Sequence, residues 1–558
     1  MEALESTLKN FFVKAGEKAF PGAEMPIDLK PSARSDFGHY QFNSAMRLGK
    51  QLGKNPREVA TELCAAAGES PLIEKLEVAG PGFINIWLSK EALSERVQKM
   101  LQDQRLGVPL DRPQRIVMDF SSPNTAKEMH VGHLRSTIIG DALARTFEFM
   151  GHDVLRLNHI GDWGTAFGML IAYLKEEAPA VIQGTEETDL THLVNWYRAS
   201  KKRFDEDPAF KERAQKEVVK LQSGDREALR AWEIICEISG RAYQEIYDIL
   251  DVKLVDRGES FYNPLLADTI KELESKGLIS ISDGAKCIFI EGFKNRDGDP
   301  LPLMVQKSDG GYGYASTDMA SIKHRLFDEK GERLIYITDL GQGTHFDMVF
   351  KAAEMAGWLD PKKVRVEHVG FGMVLGPDGK KFRTRAGETE KLIDLITAAV
   401  DRARAIIREK NPDYPPEEVD KIAKAVGIGA IKYADLSTNR TGDYTFSYDK
   451  MLRFEGNTAA YLLYSYVRVN GIKRKVGVEV EKLLGQPIVL EHPAEIALAL
   501  HLCQLPEALA KVEEELLPNR LTDYLYGLAD KFHTFFHDCR VEGSEQETSR
   551  LLLCEATA

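Results

Sequence analysis

An apolar strand pattern, RIVMDF (115–120), runs through a loop into a helical pattern over 132–150 and then into a second strand pattern, HDVLRLNHIG (152–161). Strand, helix and strand at this spacing form a β-α-β unit. Such a unit demands a parallel sheet and puts the ligand site at the carboxyl ends of its strands. Further strand signals follow as KCIFIEGF, PLMVQ, RLIYIT and VRVEHVGFGMVL, with helical patterns over 317–327 and 344–356. They are expected to supply the second half of the same sheet. The charge-rich helical stretch over 170–251 reads as an insertion packed on the sheet domain.

The flanks differ in kind from this centre. MEALESTLKNFFVKAGEKAF, at the start, is an amphipathic helix with acids among its apolar residues, unlike a basic and then apolar leader. The first 110 residues hold 14 basic and 14 acidic side chains in a chain of net charge −13, which favours this unit for contact with a polyanion. Two prolines within 108–113 mark a linker. Beyond 391 the pattern is almost wholly helical, with the proline-bearing 408–420 as a connector. The expected fold is α/β. An α+β N-terminal domain (1–108) precedes a Rossmann-type parallel-sheet catalytic domain with helical insertions (109–395), and an all-α bundle (396–558) follows. The chain stops in RLLLCEATA, an apolar helical pattern with no stop signal. The last helix is therefore expected to lack its final piece and to bury its apolar face poorly.

Composition excludes several classes. With 73 basic against 86 acidic residues, no general attraction to nucleic acid or anionic membrane exists, and an RNA partner must be held by local patches. The 6 cysteines are scattered without a C-x-x-C pair, so neither a disulfide framework nor a zinc site is expected. No apolar run approaches the ~18 residues of a membrane span. A cytoplasmic protein without membrane contact is the expectation.

The chemistry concentrates in SSPNTAKEMHVGHLRSTIIGD (121–141), between the first strand and first helix. His130 and His133 fall where the helix begins, so two imidazoles and free backbone N–H groups face one point. A helix N-terminus attracts phosphate, and paired imidazoles can stabilise charge developing on phosphate oxygens. Gly132 between them is expected to let a planar base approach the backbone.

This segment resembles the HIGH-motif region of class I aminoacyl-tRNA synthetases, specifically the arginyl-tRNA synthetase family. Segments 34–56, 157–174, 310–325, 336–350 and 441–468 are similar to further parts of that family, so the likeness spans essentially the whole chain. It implies an arginine–tRNA ligase that forms arginyl-adenylate from L-arginine and ATP, with Mg2+, and transfers arginine to the terminal adenosine of tRNA. A monomer is implied, with no dedicated metal cage in the protein. The family's lysine-rich signature loop corresponds to Lys381-Phe382-Arg383-Thr384-Arg385, where Thr384 replaces the second lysine. Lys381, Arg383 and Arg385 would hold the triphosphate, and Lys127 would supply the missing charge.

For arginine the resemblance implies Ser122, Pro123, Asn124, His133, Tyr314, Asp318 and Gln342, with Asp318 taking the guanidinium, since a carboxylate matches that planar fork. Asp339 reads as a strand-end cap. For tRNA it implies Asn457, Tyr461, Tyr464 and Arg468, with Tyr466 beside them, on a helix whose aromatics can stack unpaired bases. Two other readings stay open on sequence alone. One is a different HIGH-motif nucleotidyl enzyme; the other is a catalytically silent relative that binds arginine or tRNA.

Overall fold

A computed structural model describes residues 2–110, 112–382 and 390–558. The chain forms two compact units, 112–452 on the one hand and 1–111 with 453–558 on the other.

The central unit is built on a five-stranded parallel sheet. Its strands are β1 (Arg115–Asp119), β2 (Asp153–Asn158), β3 (Val255–Asp256), β4 (Arg333–Asp339) and β5 (Arg365–Phe371), ordered β5-β4-β1-β2-β3. α1 (Val131–Met150) crosses from β1 to β2, and the chain then adds β3 outside β2 before returning to lay β4 on the other side of β1. The order thus reverses at β1, and the crevice at its carboxyl end is where such sheets bind ligands. β1 and β4 are buried along nearly their whole length (Ile116, Val117, Met118; Leu334 to Ile337), as strands covered on both faces must be.

Two expected strands do not join this sheet. KCIFIEGF and PLMVQ lie in Ala285–Lys294 and Pro300–Gln306, which pair antiparallel with each other and, through the first, with Ser280–Ser282 in a separate three-stranded sheet. The reason is local: NRDGD closes them as a hairpin, and a tight turn cannot make a parallel crossover. The insertion is helical as expected, including Thr165–Glu177, Leu190–Glu206, Pro208–Gln222 and Arg226–Ile249.

The expected boundary at 396 falls inside α5 (Leu392–Lys410), which packs on α6 (Pro416–Leu436) within the central unit. Helical content alone gives no warning of this, because a helix can belong to either neighbour. In the second unit an antiparallel sheet, ordered Leu29–Pro31, Tyr40–Phe42, Phe83–Leu88, Ile73–Ala79, packs on helices Leu4–Ala19 and Pro56–Ala67. Leu4, Leu8 and Phe12 repeat at helical spacing, and the Phe12 ring stacks on Phe42 at 4.1 Å. The same core continues through α7 (Ala459–Val476), α8 (Asn519–Asp538) and α9 (Glu547–Thr557), so the two chain ends share one hydrophobic interior. Glu5 N–H donates to Glu507 at 2.8 Å across that junction. Leu551, Leu552, Leu553 and Cys554 of α9 are fully buried, against the expected poor burial. The N-terminal elements cover a face that the helical pattern alone leaves open.

Candidate active site

The loop from β1 to α1 is wound tightly. Ser121, Ser122 and Ala126 take φ of 72°, 52° and 59°, left-handed conformations that cost non-glycine residues energy and cluster at functional sites. Buried bonds hold them there. Ser121 N–H donates to Ser136 at 2.9 Å, Ala126 N–H to Ser239 at 3.0 Å, and Ser122 N–H to Asn158 at 2.9 Å. The Ser122 hydroxyl donates inward to Asp119 at 2.9 Å and accepts from His159 N–H at 3.1 Å, so it anchors the loop instead of pointing its proton at a ligand. Pro123 is buried, and its carbonyl accepts from Gly161. Asn124 is exposed beside Gly161, where an added Cβ would lie 2.0 Å from the Asn124 oxygen.

His130 and His133 meet as their spacing requires. His130 caps α1; its Nδ1 accepts from Gly132 N–H at 3.1 Å, and His133 Nδ1 accepts from His130 N–H at 3.1 Å. The ring centroids are 4.1 Å apart. With each Nδ1 used as an acceptor, the hydrogen-bond network assigns the proton of each neutral ring to Nε2. Burial lowers the His130 pKa, and the charges of Lys381 and Lys127 lower it further. His133, more deeply buried and beside His130, is pushed down to about 3. The pair is therefore neutral at pH 7 and offers N–H donors, not cations. A Cβ on Gly132 would stand 2.9 Å from the His130 ring, so the glycine leaves room for this imidazole to cap α1.

Lys127 is exposed, 6.0 Å from the Tyr197 ring centroid, and Lys381 approaches from the segment beyond β6 (Val374–Leu375). Both cations act on His130 electrostatically, so each lies within charge reach of that imidazole. Arg383, Thr384 and Arg385 lie outside the described residues.

A second group of side chains is acidic. Asp318, on α3 (Tyr314–Phe327), is only 16% exposed and holds His345 of α4 (Gly343–Met355). Glu259 opens α2 (Glu259–Ser275), just past β3 at the carboxyl edge of the sheet. Its carboxyl is pushed up to about 8, first by burial and then by the charges of Asp162 and Asp318. Asp162 is raised too, by burial, although Ser260 donates to it twice, at 2.8 and 2.6 Å. Among the described residues no lysine or arginine pairs with these three acids. Beside Asp162 lies a cavity of about 530 Å³ whose walls include Trp163, Trp232, Tyr243 and Phe261.

Two of the expected arginine contacts stand at the surface. Tyr314, one helical turn from Asp318, is 74% exposed, and Gln342 is exposed with its amide donating to Asp339 at 2.7 Å. Asp339 is a cap, accepting from Gly341 N–H at 2.9 Å. Sequence reading missed Glu259, Asp162 and His345. The available signal was the return of the chain to the sheet at VDRGES, but a two-residue strand leaves no periodicity to read.

On the second unit, Tyr461, Tyr464, Tyr466 and Arg468 lie on α7, with Asn457 just before it. Tyr464 and Tyr466 are about half exposed, at 48% and 50%. The Arg468 guanidinium lies 4.7 Å from the Tyr464 ring and 4.5 Å from Phe536, and donates to the Tyr464 hydroxyl at 3.0 Å. Leu463, Val467 and Tyr526 are exposed as well. A cation set among exposed aromatic rings suits unstacked bases.

Comparison with known proteins gives matches along the whole chain. The model "tRNA synthetases class I (R), catalytic domain" matches residues 96–448, "DALR anticodon binding domain" 462–558, and "Arginyl tRNA synthetase N terminal domain" 2–88. An arginine–tRNA ligase of Protochlamydia amoebophila is 61% identical over 566 residues, covering 100% of this chain and 97% of that protein. The arginyl-tRNA synthetase structure from Plasmodium falciparum aligns at TM-score 0.88 and 35% identity over 100% of this chain and 96% of its own. That from Thermus thermophilus aligns at 0.79 and 25%, over 99% and 97%.

Proposed function

The chain belongs to the arginyl-tRNA synthetases of class I and is an arginine–tRNA ligase; from that premise we propose which side chains do the work. Asp318 and Glu259 take the guanidinium, and the observation that carries this is the cluster of Glu259, Asp162 and Asp318 without a lysine or arginine partner among the described residues. Burial, with the charges of Asp162 and Asp318 behind it, raises the Glu259 pKa, and an arriving guanidinium relieves that carboxyl. Asn124 and His133 face the α-amino and carboxylate ends, while Ser122 and Pro123 fix the loop that presents Asn124. Tyr314 and Gln342 close on the ligand from the surface.

The arginine carboxylate attacks the α-phosphate of ATP, and pyrophosphate leaves. His130 and His133 donate Nε2–H to oxygens that gain charge in that step, and Lys127 and Lys381 bracket the triphosphate with Arg383 and Arg385. No covalent work falls to the protein; positioning and charge stabilisation supply the rate. The 2′-OH of the terminal adenosine then takes the arginyl group. Among the described residues no set of three or more His, Cys, Asp or Glu converges as a metal cage. Mg2+ would enter with ATP and would neutralise charge on its phosphates.

The tRNA is read by Asn457, Tyr461, Tyr464 and Arg468. We propose that the enzyme works as a monomer. No helix among the described residues is long and apolar enough to cross a membrane, and we place the enzyme in the cytoplasm. The test is the KM split: Glu259→Gln should raise KM for arginine and leave KM for ATP alone, and an unchanged arginine KM would remove Glu259 from the pocket.

A further inference from the structure

The helix that carries the imidazole pair also carries Arg135, which is 0% exposed. Its guanidinium joins three pieces of chain. Nη1 donates to the Gly372 carbonyl at 2.8 Å and to the Gly442 carbonyl at 3.0 Å, and Nε lies 3.1 Å from the Asp435 carboxylate of α6. The rings of Tyr444 and Phe371 flank it, with centroids 5.1 and 5.8 Å away.

Gly372 and Gly442 mark a place where two backbones touch. A Cβ on Gly372 would stand 2.5 Å from the Gly442 oxygen, so a side chain is excluded there. Gly372 N–H donates to the Arg440 carbonyl at 2.8 Å, and Met373 N–H to Asp443 at 2.6 Å. Just beyond, β6 pairs in parallel with β7 (Tyr444–Thr445). Phe382 N–H then returns to the Val374 carbonyl at 3.3 Å, and the Phe382 ring meets Phe446 at 5.2 Å. The segment bearing Lys381 therefore grows from a base that Arg135 clamps.

Stability does not call for this arrangement, because apolar residues of similar volume commonly replace a buried ion pair without loss. A planar guanidinium that donates through Nη1 to two carbonyls and sets Nε against a buried carboxylate does what an apolar side chain cannot: it fixes where two backbones stand relative to α1. We propose that Arg135, oriented by Asp435, is a positioning residue for ATP. It locks the root of the Lys381 segment to the helix of His130 and His133, so that lysine and imidazoles close on one triphosphate. The proposal rests on the reading that Lys381 serves ATP.

The test is steady-state aminoacylation by the full chain, with ATP, arginine and tRNA varied in turn. In Arg135→Met/Asp435→Leu, which removes both buried charges, KM for ATP should rise about tenfold or more, the scale of a displaced binding group, while KM for arginine stays near wild type. Arg135→Lys, which lacks the fork, should not restore it. Gly372→Ala keeps the charge pair but pushes the two backbones apart, and should show the same ATP-selective defect if the double variant does not fold. An unchanged KM for ATP in the folded variants, or equal rises for ATP and arginine, would overturn the proposal. Lys381→Ala separates the two ideas: if it spares ATP, the reading of the loop fails, and if it alone impairs ATP use, only the role of Arg135 fails.

Discussion

His345 Nε2 lies 2.6 Å from Asp318 Oδ2, so the carboxylate proposed for the guanidinium is already oriented by one imidazole. The other Asp318 oxygen and Glu259 are then the acceptors that a planar fork can reach. Asp318→Asn should raise KM for arginine by roughly a hundredfold to a few thousandfold, since losing one partner of a buried charge pair costs about 3–5 kcal/mol. KM for ATP should hold. His345→Ala should act in the same direction but more weakly, because it loosens the acid without removing it. An arginine KM in Asp318→Asn equal to wild type would exclude the residue from recognition.

Glu259 predicts a pH dependence. In the ligand-free protein its carboxyl is pushed up to about 8 from an ordinary 4.5. Between those values the folded chain holds a proton that the unfolded chain has released, so this group's contribution to stability falls as pH rises from about 4.5 to about 8. Arginine favours the ionised form, so its binding should tighten as pH approaches 8 and release a proton. Calorimetry in buffers of different ionisation heat counts that proton. Glu259→Gln should abolish both the release and the stability slope, and an unaltered release would assign the proton elsewhere.

Lys127 stands near His130 without a carboxylate partner among the described residues, as a cation kept for phosphate should. Lys127→Ala should lower kcat far more than it raises KM for arginine, the mark of a contact made in the transition state. We further expect arginine-dependent pyrophosphate exchange to be nearly absent until tRNA is added, through an induced fit of the loop that carries Lys381. Full exchange in tRNA-free enzyme would refute that gating.

On the second unit, Tyr464→Ala and Arg468→Ala should each weaken tRNA use by about 1–3 kcal/mol, the worth of one stacked base, with KM for arginine unchanged. Filter binding against salt separates them: the Arg468 variant should flatten the salt dependence if that residue meets phosphate, and the Tyr464 variant should not.

What could be read in the sequence was local. The strand, loop and helix around His130 and His133 follow from periodicity and a capping spacing confined to about thirty residues, and the structure keeps them in place. What escaped depends on contacts between distant segments. Glu259 joins the pocket because the two residues Val255 and Asp256 pair with Leu157 and Asn158 after an insertion of about ninety residues. Leu552 is buried because elements from the other chain end cover it. Asp318 and Tyr314 share a helix, as their spacing implies, yet spacing could not say that one would be sheltered and the other exposed. The separate hairpin sheet was hidden for a similar reason, since strand signals do not say with whom a strand pairs.

We propose that the Asp318–Glu259 carboxylates make this chain select arginine. Selection is tested most directly by charging total tRNA with arginine, lysine and citrulline in parallel, using the wild-type chain and Asp318→Asn/Glu259→Gln. Wild type should charge arginine alone, since lysine lacks the fork and citrulline the charge, and the double variant should lose arginine charging while keeping its affinity for ATP. Undiminished arginine charging by that variant, or charging of citrulline by wild type as readily as of arginine, would contradict the proposal.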